Sequence, residues 1–83
     1  MKLEEVVAEL ETIESFKNIN ASFNEEKNIF DIYCRITIPK EEAEDLFNEI
    51  DEIDYNYCDF GIFEFWFTAD DAEVAIQKLK EVF

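Results

Sequence analysis

The chain has no histidine, one glycine, one proline, one arginine and two cysteines among its 83 residues. Each shortage excludes something. Without histidine the commonest general base and metal ligand is gone. One glycine rules out a glycine-rich phosphate loop. Ser15 and Ser22 have no base motif around them, so no nucleophilic triad is expected. Cys34 and Cys58 are too few for a disulfide framework or a ferredoxin cluster. Both are read as reduced thiols, and Cys34, in the apolar register of its segment, as core. Nothing basic lies near Cys58 in sequence to lower its pKa.

No apolar run reaches the roughly 20 residues that span a bilayer. Glu4 and Glu5 stand where a signal peptide needs a basic start and an apolar run. A cytoplasmic location is expected, in the host cytoplasm if a phage encodes the protein. The Asp-Ser-Leu attachment site of acyl carrier proteins is missing. The acidic stretch Asp51–Gly61 lacks EF-hand spacing. No cofactor and no metal site are expected, and no enzymatic activity. Carboxylate chemistry with Mg²⁺ held by paired acids is the one catalytic alternative left.

The most informative shortage is local. Between Lys40 and Lys78 there is no base at all, while Glu41–Gln77 holds 13 carboxylates. The rest of the chain carries 9 acids against 7 bases, so the net charge of −15 is mostly regional. Such a one-sided field repels nucleic acid and anionic membranes and attracts basic surfaces.

What is present argues for a folded domain. Hydrophobic residues make up 48% and aromatics 16%, with nine Phe, whereas a disordered acidic tail is poor in aromatics. One domain, 1–83, is expected. At this size about 60% of the unfolded surface is buried. Abundant Ile, Asn, Lys and Phe with a single Arg resemble the output of an AT-rich genome, as in low-GC bacteria and their phages.

Periodicity predicts the elements. Leu3, Val6, Val7, Leu10 and Ile13 form one helical stripe. Asn18 to Phe23 alternates, with Ile19, Ala21 and Phe23 inward. A polar loop, Asn24–Asn28, leads to a second alternating run with Phe30, Ile32, Cys34, Ile36 and Ile38 inward, so the two make an antiparallel hairpin. Pro39 ends the strand and opens a helix that is predicted to run to about Ile53, burying Ala43, Leu46, Phe47, Ile50 and Ile53. Tyr55–Thr68 is strand-like, either as one long strand or with a turn at Asp59-Phe60-Gly61. A loop or short strand followed by a strand from Gly61 is favoured. Asp70 with Glu73 resembles a capping box. The last helix buries Ala72, Ala75, Ile76, Leu79 and Val82 or Phe83. The expected class is α+β, order α-β-β-α-β-α, with a three- or four-stranded antiparallel sheet and helices on one face. No internal repeat is expected.

Two surfaces are candidates. On a helix reaching Ile53, Glu41, Glu42, Glu44, Asp45, Glu49, Asp51 and Glu52 cover the face opposite the apolar stripe. Like-charged neighbours such as Glu41–Asp45, Asp45–Glu49 and Glu49–Glu52 cost about 0.2–0.5 kcal/mol each. Alternating Glu with Lys gives solubility without that cost, so the field itself is the candidate function. A solvated face that only keeps the chain soluble is the plainer alternative. Asp54, Asp59 and Glu64 extend the field, and Tyr55 and Tyr57 beside Asp54 and Asp59 either anchor a charged patch or only pack. The second surface is the outer sheet face, where Tyr33, Arg35, Thr37, Ile62, Glu64 and Trp66 lie together if no helix covers them. Exposed Trp66 would then be an interface anchor; the favoured plainer reading is that a helix covers this face and Trp66 is core.

These features imply an inhibitor that occupies the basic nucleic-acid-binding surface of another protein as a nucleic-acid mimic. An anti-CRISPR or anti-restriction protein of a phage or mobile element fits this description. So does a nuclease's immunity protein or antitoxin. The expected partner is a basic nuclease or nucleic-acid-binding protein, with no direct contact to nucleic acid or membrane. The alternative is a small adaptor, perhaps homodimeric, acting through the sheet face.

Overall fold

A computed structural model describes residues 1–83. The elements are α1 (Leu3–Glu11), β1 (Phe16–Asn24), β2 (Ile29–Ile36), α2 (Lys40–Asn48), β3 (Asp54–Asp59), β4 (Ile62–Thr68), a single 3₁₀ turn at Ala69–Asp71, and α3 (Ala72–Val82). The strands form one antiparallel sheet in the order β1-β2-β4-β3. The class is α+β, and the open choice at Tyr55–Thr68 resolves as two strands. Gly61 belongs to the tight turn between them, so β4 starts one residue later than expected.

Three further expectations are corrected. The second helix stops at Asn48 instead of Ile53. Glu49, Asp51 and Glu52 would place carboxylates at the negative end of the helix dipole, and no base sits in the last turn to offset them. The apolar spacing continues because the chain leaves the helix through two short turns, with Ile50 N–H donating to the Phe47 carbonyl at 3.0 Å and Ile53 N–H to the Ile50 carbonyl at 3.2 Å. Ile50 and Ile53 are therefore buried without being helical. Asp70 does not cap the last helix. The Thr68 hydroxyl accepts from the Asp71 N–H at 3.2 Å and starts the 3₁₀ turn that feeds α3.

The third correction concerns repeats. α1-β1-β2 and α2-β3-β4 are each a helix followed by a hairpin, and β2 and β4 pair at the centre. The turns that end α1 reappear after α2. Thr12, Ile13 and Phe16 donate to Glu9, Leu10 and Ile13, as Glu49, Ile50 and Ile53 donate to Leu46, Phe47 and Ile50. Buried Val6, Leu10, Ile13 and Phe16 match Ala43, Phe47, Ile50 and Ile53. The repeat escapes sequence inspection because only apolar burial and hydrogen bonding are kept, while the side chains themselves differ in size.

All three helices pack on one face of the sheet. The core comprises Phe30, Ile32, Cys34 and Ile36 of β2, Phe63, Phe65 and Phe67 of β4, and the apolar stripes of the helices. Nineteen residues are buried and none is polar or charged, so the interior supplies shape but no chemistry. Burial pushes the Cys34 thiol up to about 12, which keeps it a neutral, unreactive core residue. Phe47, 1% exposed, is the hub: its ring lies 5.0–5.5 Å from Tyr55, Phe63, Phe65 and Phe83.

Phe47→Ala is expected to cost about 3–5 kcal/mol in urea unfolding. Phe23→Ala, at a ring 37% exposed on the sheet margin, is expected to cost about 1 kcal/mol or less. Equal losses would contradict the assignment of Phe47 as hub.

Candidate partner-binding surface

α2 lies against the edge strand β3, fixed at both ends. At its start the Lys40 ammonium sits 4.7 Å above the Tyr57 ring. At its end the Tyr55 hydroxyl donates to Asn48 Oδ1 at 3.0 Å, and the Tyr55 ring stacks on Phe47 at 5.0 Å. The Tyr57 hydroxyl accepts from the Gly61 N–H at 3.1 Å and holds the β3–β4 turn. Tyr55 and Tyr57 are thus half-buried on the core side with their hydroxyls engaged within the chain. They position the acidic helix and do not stand free as anchors.

The expected carboxylates divide into three groups. Glu41, Glu42, Glu44 and Asp45 lie on α2, all exposed except the half-buried Glu44. Glu49 and Asp51 are exposed in the turn that follows, and Asp54 is exposed at the start of β3. Glu52 is withdrawn from the set. Lys78 of α3 reaches its carboxylate at 2.8 Å and holds its pKa below the usual range. Asp59 is also partly engaged, accepting the N–H of Phe60 at 3.1 Å.

The sheet face stays open, which corrects the reading that a helix covers it and makes Trp66 core: Tyr33, Arg35 and Ile62 are exposed and Trp66 is half-buried. The register places Tyr33 opposite Glu64, Arg35 opposite Ile62, and Asp31 and Asp54 on either side of Trp66. Trp66 is half-buried and Tyr33 is 43% exposed. A groove of about 350 Å³ joins the two candidate surfaces, running from Asn48 and Asp51 past Asp54 and Asn56 to Trp66. Searches against protein-family models, curated proteins and solved structures find no match. No group of three or more His, Cys, Asp or Glu is placed to hold a metal ion.

Two features of this region were not legible in the sequence. Asp31 and Glu64 share a hollow of about 270 Å³ with Asn24, Lys27, Ile29 and Trp66, and Asp31 Oδ1 is buried without a hydrogen-bond partner. Partial burial first, then hydrogen bonding to Glu64 and its charge, push the Asp31 carboxyl up to about 6. The Tyr33 hydroxyl is also raised, chiefly by hydrogen bonding to Glu64. Cross-strand register alone brings these groups together. The second feature is Phe60, 85% exposed at the β3–β4 turn with φ +52°, followed by Gly61 at φ +78°. Two successive positive φ values favour Asn, Asp or Gly; a phenylalanine there costs about 1–2 kcal/mol. The signal in the sequence is a large aromatic at a turn position directly before the only glycine.

The Asp31 shift has a sign that can be measured. A carboxyl raised above its unfolded value of about 3.9 is more readily protonated in the fold. Its contribution to stability is therefore fully present below that value and is lost as pH rises through about 6. Asp31→Asn should leave stability near pH 4 little changed, raise it at pH 7.5, and flatten the fall between. A wild-type curve with the same slope as the variant across that window would contradict the assignment.

Proposed function

We propose that this protein is an inhibitor that occupies the basic nucleic-acid-binding surface of another protein. One observation carries the reading: a continuous run of exposed carboxylates, Glu41, Glu42, Asp45, Glu49, Asp51 and Asp54, with no free base among them. The bases that flank the run are engaged, Lys40 over Tyr57 and Lys78 with Glu52. Nine residues of α2 span about 13.5 Å. Its four carboxylates fall within five consecutive residues, about 7.5 Å of axis, or roughly one charge per 1.9 Å, close to the about 1.7 Å of axis per charge in duplex DNA.

The mechanism is electrostatic displacement. The field steers the protein to a basic cleft, and the rigid helix presents its charges without first being ordered. The partner's Lys and Arg pair with the carboxylates as they would with phosphates, so binding weakens as salt rises. The composition suits a phage or mobile-element product acting on a defence nuclease in the host cytoplasm, of the anti-CRISPR or anti-restriction type. An immunity protein or antitoxin of a nuclease uses the same surface.

A second reading has its own observation. The open sheet face exposes Tyr33 and Ile62 beside half-buried Trp66, which suits an adaptor that binds through aromatic anchors.

Affinity capture on the immobilised protein separates the two. Under the inhibitor reading the captured protein is basic, and duplex DNA or RNA elutes it. Combined Glu41→Lys, Asp45→Lys and Glu49→Lys reversal weakens capture by about two orders of magnitude. A captured partner that ignores both nucleic acid and charge reversal favours the sheet face and overturns the inhibitor reading.

A further inference from the structure

The hairpin end of the open sheet face differs from the rest of this acidic protein. Three of the six large hydrophobic side chains exposed on the molecule gather there: Phe60 at 85%, Tyr33 at 43% and Ile62 at 38%. Lys17, Arg35 and Ile62 lie in one cross-strand row on the same face, and Lys17 and Arg35 have no salt-bridge partner. Asp59 pairs with Ile62 at the end of the ladder. With Asp59 and with Glu64 opposite Tyr33, this patch thus carries two free bases and two acids on a chain whose net charge is −15.

The turn is also pinned. Phe60 adopts φ +52°, its N–H is held by the Asp59 carboxylate at 3.1 Å, and the next N–H by the Tyr57 hydroxyl at 3.1 Å. An aromatic ring kept in an unfavourable backbone conformation and in water has no role in the fold of one chain. Beside it is a hollow of about 360 Å³ lined by Asn18, Asn20, Tyr33, Cys34, Arg35 and Ile62.

A projecting ring and a hollow that share one patch meet the condition for an isologous contact, in which the same surface serves both copies. The local charge agrees. On the exposed face of α2 two copies bring acid to acid, whereas here Asp59 of one copy can face Lys17 or Arg35 of the other. We propose that this protein forms a two-fold dimer through the hairpin end of its open sheet face, with Phe60 of each copy seated in the Tyr33–Ile62 hollow of its partner. The proposal does not rest on the inhibitor reading, and in such a dimer the acidic face of α2 stays free.

The test is sedimentation equilibrium on the wild-type protein, Phe60→Asn and Ile62→Lys. The dimer should strengthen as salt rises to about 0.5 M, because screening relieves the repulsion between two acidic copies. A complex with a basic partner weakens over the same range, so failure of one proposal is distinguishable from failure of the other. Phe60→Asn should weaken dimerisation by about tenfold or more. Its urea midpoint should be equal to or higher than wild type, since Asn tolerates positive φ. Ile62→Lys should weaken dimerisation to a similar degree. A wild-type protein that stays monomeric to about 1 mM at high salt, or a Phe60→Asn protein that dimerises as tightly as wild type, overturns the proposal.

Discussion

The packing of Phe47 against the aromatic side of the sheet is the contact on which the rest of the molecule depends. α2 has nine residues, and only Ala43 and Phe47 of them are buried. A helix this short is marginal in water by itself, and its exposed face is crowded with like charges. It persists because one ring meets Tyr55, Phe63, Phe65 and Phe83, so the acidic surface is held in place from beneath. Tyr55 and Lys40 fix the two ends. The charge is therefore carried on a rigid support, and a presented array of carboxylates differs from an acidic tail in this respect.

The second constraint is size. A chain of this length has apolar residues enough to cover one face of its sheet and no more. Helices from both halves and the C-terminal α3 meet on that face, and the other face is left to water. The sheet margin bears the consequences: Trp66 half covered, Asp31 and Glu64 side by side, and a hairpin end bearing Phe60. The repeated helix–hairpin unit explains the order of the strands. Each unit supplies one edge strand and one central strand, and the two central strands pair antiparallel.

Much of this was legible in the sequence where periodicity had a single reading. Alternation in Phe30–Ile36 and Phe63–Phe67 identifies two strands and sorts Tyr33, Arg35, Ile62, Glu64 and Trp66 onto one face; that these strands are central and that no helix covers that face were not legible, because both depend on how distant elements pack. The end of α2 was not legible. Ala43, Phe47, Ile50 and Ile53 keep a three- and four-residue rhythm both in a helix and in the short turns that replace it. As a result, three carboxylates assigned to the helix lie beyond it. Pairings between distant segments were hidden as well. Nothing in local sequence ties Glu52 to Lys78 or Asp31 to Glu64. A turn at Asp59-Phe60-Gly61 was legible from the glycine, but the positive φ of Phe60 and the exposure of its ring were not, because they depend on the backbone of the turn.

The structure thus separates two kinds of surface on one small domain: a charged, preorganised helix face, and an open sheet face whose hairpin end is nearly neutral. The helix face is the proposed binding surface. Carbodiimide labelling of the 22 carboxylates, free and in complex with the captured partner, tests it most directly. Protection is predicted at Glu41, Glu42, Asp45, Glu49 and Asp51, with Glu25, Glu26 and Glu81 unchanged. If the carboxylates of α2 label equally in the free and bound protein, the acidic helix is not the binding surface.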